Sequence, residues 1–354
     1  MNFRLLFGIS EINREKWSEF VSAHPHGTIF QSPEMFDLYA SVNSYKPLVY
    51  ALEDENGAYR ILLLAVIIDD FKGWMGQFSS RTLIYGGPII DLNTEHPELL
   101  TEIVLDALIK EVRKKSLYIQ IRNLTDLSLF EPVFRSKSFV KHDHLNLIVR
   151  TANTEETINC ISKSKIRQAR QSLMNGAEVV QATTVEEIHE FYLILEKMYR
   201  TRIHKPLPPE SFFQTFLEAS NKGKLGVILL AKLKGHVIGG IVCPVSPGKT
   251  LFEWYICGED KAYQKIHPSV LLTYSAIEYA AKNGFQKFDF MGIGNPDIPY
   301  GVREFKSKFG GRTVNYGRFL LVNNKPIYLL ASLGYIVLTF FKIITFQRDR
   351  KKQG

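Results

Sequence analysis

The stretch Tyr300–Gly311 reads YGVREFKSKFGG and follows an apolar, strand-like run that closes with FDFMGIG (Phe288–Gly294). Phe305 and Phe309 stand four apart and share one helix face, whereas Lys306 falls on another face with Arg303 three residues before it. A short helix of this kind can anchor itself by its phenylalanines and aim Lys306 into a cleft beyond the strand end. The same spacing suits a solvated amphipathic helix, and spacing alone leaves both readings open.

Working upstream, the second half of the chain shows a definite order. SKSKIRQARQSLMNG (Ser162–Gly176) reads as a helix closed by Gly176, and a longer helix is expected from about Val185 to Arg202. GVILLAKLKGHVIGGIVC (Gly226–Cys243) reads as a hairpin turning at Lys234-Gly235, followed by a strand TLFEWYIC (Thr250–Cys257). A helix from Pro268 to Asn283, the strand FQKFDFMG, the basic piece and a last strand TVNYGRFLLV (Thr313–Val322) complete the half.

The first half repeats this order. A short helix at Pro33–Tyr39 precedes two β-rich runs around Asn56-Gly57, then come a strand TLIYGGPII (Thr82–Ile90) and a helix from about Pro97 to Lys115. LYIQIRNL (Leu117–Leu124), a short amphipathic piece containing FEPVFRSKSF (Phe130–Phe139) and a last strand HLNLIV (His144–Val149) follow. The fold class is therefore expected to be mixed α/β, with a duplicated unit of about 150 residues. The expected division is residues 1–152, 153–325 and a tail 326–354, with the junction near Thr151–Thr157. No low-complexity linker separates the halves, so a large, well-packed interface between them is expected.

The chain has 354 residues, 45% of them hydrophobic, enough to bury a substantial core. Forty-four Lys and Arg against 36 Asp and Glu give a net charge of +8, which favours a phosphate-bearing or anionic partner without identifying one. Three scattered cysteines, Cys160, Cys243 and Cys257, fit neither a disulfide framework nor a Cys-x-x-Cys metal site, so a reducing, cytoplasmic setting and no metal are expected. The charged N-terminus makes a poor signal peptide. The segment Ile327–Phe346 is about 20 residues long, but Ser332, Tyr335, Thr339, Lys342 and Thr345 form a polar stripe and RDRKK follows. That pattern suits a helix lying in the inner membrane face; packing on protein and a true span are the alternatives.

The order of elements resembles the acyl-CoA-dependent N-acetyltransferase fold, whose glycine-rich loop offers backbone amides to the CoA pyrophosphate. Here the corresponding loop is QKIHPS, with His267 and Pro268 where glycine and an amide donor are expected. Proline has no N–H, so the anion nest is impaired and no CoA cofactor is expected.

From Ser162 to Tyr316, SKSKIRQARQ, FDFMGIGNPD and above all FKSKFGG resemble the FemAB family of peptidyltransferases. In the first half, TIFQSPEMFDLY and YGGPIID are similar to that family's pattern around its first cleft. The resemblance implies two GNAT-like (acyl-CoA N-acyltransferase-like) units side by side, in the shorter form without a helical arm, since the interval Arg202–Gly226 has no room for one. It implies an aminoacyltransferase with aminoacyl-tRNA as donor and a nucleotide- or lipid-linked peptidoglycan-type precursor as acceptor.

Residue by residue, the resemblance implies that Lys306, after Phe305, sits at the transfer site and meets the donor, with Arg303 beside it. Tyr255 or its neighbour Trp254 matches an aromatic position that contacts the precursor. Arg202, with Arg200 as rival, matches an arginine for the diphosphate, and Asp91 matches an acid near the acceptor. Asp91 also suits a plain turn cap, and His204, His236 and His267 are scattered in loops. Two other functions stay open: an N-acyltransferase using acyl-CoA or acyl carrier protein on an envelope saccharide, and a non-catalytic scaffold for envelope assembly.

Overall fold

The structure is a computed structural model that describes residues 3–69 and 79–334. Its first half contains β1 (Arg4–Phe7), α1 (Arg14–Ala23), α2 (Pro33–Ala40), β2 (Tyr45–Glu53), β3 (Tyr59–Ile68), β4 (Arg81–Tyr85), β5 (Ile89–Ile90) and α3 (Pro97–Val112). It continues through β6 (Tyr118–Arg122), α4 (Glu131–Ser136), β7 (Val140–His142) and β8 (Leu145–Arg150). The second half contains α5 (Thr154–Asn159), α6 (Lys163–Met174), β9 (Ala177–Gln181), α7 (Val185–Met198), α8 (Glu210–Asn221), β10 (Gly226–Leu233), β11 (His236–Ser246), β12 (Thr250–Phe252) and β13 (Tyr255–Gly258). It ends with α9 (Pro268–Lys282), β14 (Lys287–Gly292), α10 (Gly301–Ser307), β15 (Arg312–Asn315) and β16 (Arg318–Val322). Residues 325–334 are helical. The polar stripe of the tail from Tyr335 onward lies outside the described residues, and no helix within them is long and apolar enough to cross a membrane.

The duplicated order is visible in local chemistry. Each half forms its hairpin where the turn allows positive φ, at Gly57 in one and at Lys234-Gly235 in the other. The long helices α3 and α9 begin alike: a left-handed histidine, His96 or His267, stands at the N-cap and proline at the first helical position. Two eight-stranded mixed sheets result, ordered β1-β2-β3-β4-β6-β16-β7 with β5 on β3, and β15-β8-β14-β12-β11-β10-β9 with β13 on β11.

The closing strands are exchanged between the halves. TVNYGRFLLV reads as one strand in sequence, but it breaks at Tyr316-Gly317 into β15, which pairs with β8, and β16, which enters the first sheet between β6 and β7. Reciprocally, β8 lies in the second sheet between β14 and β15. Gly317 takes φ +70, and its carbonyl neighbours leave little room for a side chain: a Cβ would come 3.1 Å from the His142 carbonyl oxygen.

The apolar pattern then builds three cores. One lies under α3 and α4 on the first sheet, one under α9 on the second, and the third joins α1 and α2 to α7 and α8 across the halves. In that shared core Trp17, Phe30 and Leu38 of the first half are buried with Phe191, Phe212 and Phe216 of the second. The exchange of strands and this common core join the two sheets.

Candidate active site

Both sheets split at their parallel centre. β12 runs parallel to β14 over Thr250–Phe252, and the chain then breaks at Glu253-Trp254 and leaves as β13, which pairs only with β11. In the first sheet β4 runs parallel to β6, breaks at Gly86-Gly87-Pro88 and continues as β5 on β3. Open α/β sheets bind ligands at the carboxyl ends of parallel strands, where such splits lie.

The second split is filled by Lys306. The α10 helix is anchored by Phe309, fully buried beside Phe290, and by Phe305, whose ring lies 5.3 Å from that of Phe309. This places the Lys306 Nζ 2.9 Å from Glu253 Oε1, and it donates a 2.8 Å hydrogen bond to the Phe290 carbonyl. Both partners are buried, with 10% and 2% of their side-chain surfaces exposed. Glu253 Oε2 is buried with no hydrogen-bond partner. Next to this pair, Asp289 accepts from the Met291 N–H at 2.6 Å, and burial pushes its carboxyl up to about 7. Met291 itself takes φ 56, a left-handed conformation that a non-glycine residue adopts at a cost.

Beside the split lies a cluster of aromatic side chains. Trp254 and Tyr255 are half-buried; Trp254 meets Phe30 and Phe212 edge-on at 5.2 and 5.3 Å, and Tyr255 lies 5.2 Å from Phe213 and 6.4 Å from Tyr199. Burial raises the Tyr255, Tyr199 and Tyr39 hydroxyls well above the usual range, so all three stay protonated donors at neutral pH.

The other residues expected from the sequence take different places. Arg303 donates to the carbonyls of Ile293, Pro296 and Asn295, and so holds the loop after β14. The helix expected to reach Arg202 gives way after Met198 to a π turn, Tyr199–Ile203, that carries Arg200 and an exposed Arg202. Asp91 pairs with Arg60 at 2.6 Å and accepts from the Asn93 N–H, which holds its carboxyl below the usual range despite partial burial. The structure thus brings Lys306, Phe305, Trp254 and Tyr255 to one split, whereas Asp91 is engaged at the end of the β2–β3 hairpin.

Two expected first-half pieces meet. Gln31, from TIFQ, donates to the Gly87 carbonyl at 3.2 Å, and a Cβ on Gly86 would come 2.6 Å from its Nε2. Gln31 therefore fills the first split as Lys306 fills the second.

The start of α9 is also engaged. Asp260 accepts from the Ser269 N–H at 3.1 Å and from its hydroxyl at 2.5 Å. With Pro268 lacking an N–H, the helix end already carries a carboxylate where a CoA pyrophosphate would need free amides. Glu253, Asp260 and Asp289 were not singled out from sequence. A carboxylate inside TLFEWYIC was the available signal for Glu253, since an acid in an apolar strand needs a partner.

A family model described as "Acetyltransferase (GNAT) domain" matches residues 162–307. No curated protein sequence matches. Among solved structures, FemX is similar with TM-score 0.68 and 15% identity, over 93% of this chain and 99% of that one. The C-terminal DUF2156 domain of an Agrobacterium fabrum protein named as a lysylphosphatidylglycerol synthetase gives 0.57 and 12%, over 92% and 95%. A tandem GNAT protein from the clavulanic acid biosynthesis pathway gives 0.58 and 8%, over 91% and 99%. The chain has the tandem GNAT fold of FemX.

Proposed function

We propose that this protein is an aminoacyltransferase that moves an amino acid from aminoacyl-tRNA to an amine of a peptidoglycan or other cell-envelope precursor. The observation that carries the reading is the filled second split: the buried Lys306–Glu253 pair occupies the break between β12 and β13 at the end of the parallel strands. Asp260, bonded to Ser269 at the start of α9, occupies the helix end that a pyrophosphate would need. The similarity of the whole chain to FemX and to a lysylphosphatidylglycerol synthetase domain supports the same class of donor.

In the reaction, a neutral acceptor amine attacks the ester carbonyl, a C–N bond forms, and the C–O bond to the ribose breaks as that hydroxyl takes up a proton. No protein nucleophile is required, because the ester is activated, and positioning supplies much of the acceleration. Lys306 has three N–H bonds, and two are engaged by Glu253 and the Phe290 carbonyl. The third is available to a developing oxyanion or to a terminal phosphate of the donor. The aromatic cluster of Trp254 and Tyr255 would bed the acceptor, with Arg202 on the π turn beside it. The tail would bring the protein to the inner face of the membrane, where a lipid-linked acceptor lies.

The test supplies purified protein with tRNA charged with labelled amino acids and with envelope precursors, and follows label in the precursor pool. Transfer from charged tRNA, with none from acetyl-CoA, is expected. Transfer from acetyl-CoA or a carrier thioester, with charged tRNA inert, would overturn the reading.

A further inference from the structure

A row of side chains crosses the first sheet at the carboxyl end of its parallel strands. Tyr85 of β4 stands opposite Arg122 of β6, and Arg122 stands opposite Arg318 of β16. On β6 and β16 the alternate residues Ile119, Ile121, Phe319 and Leu321 belong to the core under α3, so the two arginines occupy the opposite face, toward the cleft. Arg122 is fixed in place: it donates to Gln120 Oε1 at 2.9 Å and to the Tyr85 hydroxyl at 2.6 Å, and its guanidinium lies 5.1 Å from the Tyr85 ring centre. Its fork is therefore held by neutral groups.

The second sheet closes on the same place. A Cβ on Gly292 of β14 would come 2.4 Å from His144 Nε2 and 3.2 Å from Arg318 Nη2, so the absence of a side chain there lets β14 approach both. Lys205 stands just past the π turn with its side chain exposed. Among the described residues, neither arginine nor Lys205 has an ion pair with a carboxylate. The charges acting on His144 and on Lys205 are all positive: Arg318 and Arg122 on both, with Lys205 and Arg303 also acting on His144. Burial and these neighbours hold the His144 ring down at about 3, hence neutral, while Arg318, lowered to about 9, remains a cation at neutral pH.

Two adjacent guanidinium groups and an ammonium, gathered without a counter-charge, oppose folding by mutual repulsion and desolvation. Such an arrangement is explained by an anion that arrives with the ligand. A carboxylate would leave two of the three charges uncompensated, whereas a phosphate monoester or a diphosphate offers two or more charges and several oxygens to planar forks. We propose that Arg122, Arg318 and Lys205 form a subsite for a phosphoryl group, open to the cleft between the two sheets. The subsite stands on its own geometry and holds even if the transfer reading fails. Its phosphate has two sources in that reading, the diphosphate of a precursor and the 3′-terminal phosphates of an RNA.

The full-length protein would be titrated with inorganic pyrophosphate, with a nucleoside diphosphate and with an RNA acceptor-stem minihelix, at two salt concentrations. Arg318→Gln, Arg318→Lys and Lys205→Gln would be compared with Lys114→Gln, which removes one charge from an exposed position on the turn after α3. Arg318→Gln is expected to weaken pyrophosphate binding by at least about tenfold, with Lys114→Gln within about twofold. It is also expected to raise the ligand-free melting temperature while abolishing the rise caused by pyrophosphate, since it relieves repulsion and removes the site together. A merely structural arginine would lower the melting temperature instead. Weakening against the nucleoside diphosphate alone assigns the subsite to the precursor, and weakening against RNA alone assigns it to the donor. Should Arg318→Gln fold poorly, the exposed Lys205→Gln gives the same comparison. Equal effects of Lys114→Gln and the subsite variants, or no pyrophosphate binding by wild type at low salt, would overturn the proposal.

Discussion

Replacing Lys306 by methionine tests two separate things, and the structure says how to part them. The substitution leaves Glu253 at 2% side-chain exposure with neither oxygen paired, because Oε2 already has no partner and Oε1 loses the 2.9 Å ion pair. Stranding one member of a buried pair costs about 3–5 kcal/mol, whereas replacing both by well-packed apolar groups is often neutral. Lys306→Met and Glu253→Met should therefore each destabilise by about that amount. The double variant should recover most of it, less about 1 kcal/mol for the Phe290 carbonyl that loses its donor. Urea unfolding of the four proteins closes the cycle, and those figures give an expected coupling of about 5–9 kcal/mol. Activity read on the same four proteins separates chemistry from folding: a stable but inactive double variant places the Lys306 ammonium in the reaction. A single Lys306→Met protein within about 1 kcal/mol of wild type would refute the argument from burial, since it would mean that water or a conformational change relieves Glu253 at no cost.

Asp289→Asn should flatten the dependence of stability on pH. The folded-state value, about 7, lies above the ordinary 3.8, so the native protein keeps a proton that the unfolded chain releases, and wild-type stability falls as pH rises through that window by at most about 4 kcal/mol. Urea midpoints at about pH 5 and about pH 8 check this, and equal slopes in variant and wild type would refute it. Gly311→Ala should destabilise by about 2 kcal/mol or more, because the residue takes φ +94 and a Cβ would come 2.7 Å from the Ile148 carbonyl oxygen; thermal unfolding measures it. Asp260→Ala should cost about 1 kcal/mol as a lost cap without creating acetyl-CoA-dependent stabilisation, since Pro268 still lacks an N–H; a melting temperature that rises with acetyl-CoA would refute the account of α9.

Most elements and their repeated order were legible because they rest on local chemistry, whereas α1, α8 and β9 were not read and the expected strands TLIYGGPII and TLFEWYIC each break in two. The β-rich runs of PLVYALEDENGAYRILLLAVII, the turn at Asn56-Gly57 and the proline starts of α3 and α9 act within a few residues of themselves. The glycines of FKSKFGG were legible as a motif, and the reason for them is steric: Gly310 and Gly311 turn α10 into β15 where the backbone of Cys160 and of Ile148 leaves no space for a Cβ. The exchange of β8 and β16 was not legible. Both are short apolar strands that either sheet could accept, and the choice is made by pairings more than a hundred residues apart in sequence. The same distance hid Arg122 and Arg318, which stand opposite each other only because of that exchange. Lys306 was legible as a residue but its state was not, since nothing near it in sequence announces Glu253 as its partner.

That exchange also bears on why the duplicated unit has two different splits. Each sheet opens at the break after its parallel strand, and each opening is closed by a side chain from elsewhere in the chain. Gln31 closes the first with a neutral amide, which leaves the charge of the arginine row uncompensated. Lys306 closes the second with an ammonium, and Glu253 neutralises that ammonium in a space too dry to hold it alone. β16 carries Arg318 into the first sheet while its neighbour β15 stays with β8 in the second, so one short segment of chain joins the two sheets. A ligand phosphate gripped by the arginines would press on β16 and, two residues upstream through Tyr316, on the end of β15. The Tyr316 carbonyl is bonded to Asn123 at the end of β6, so the strand ends at the first split and the link to the second sheet meet in one hydrogen bond.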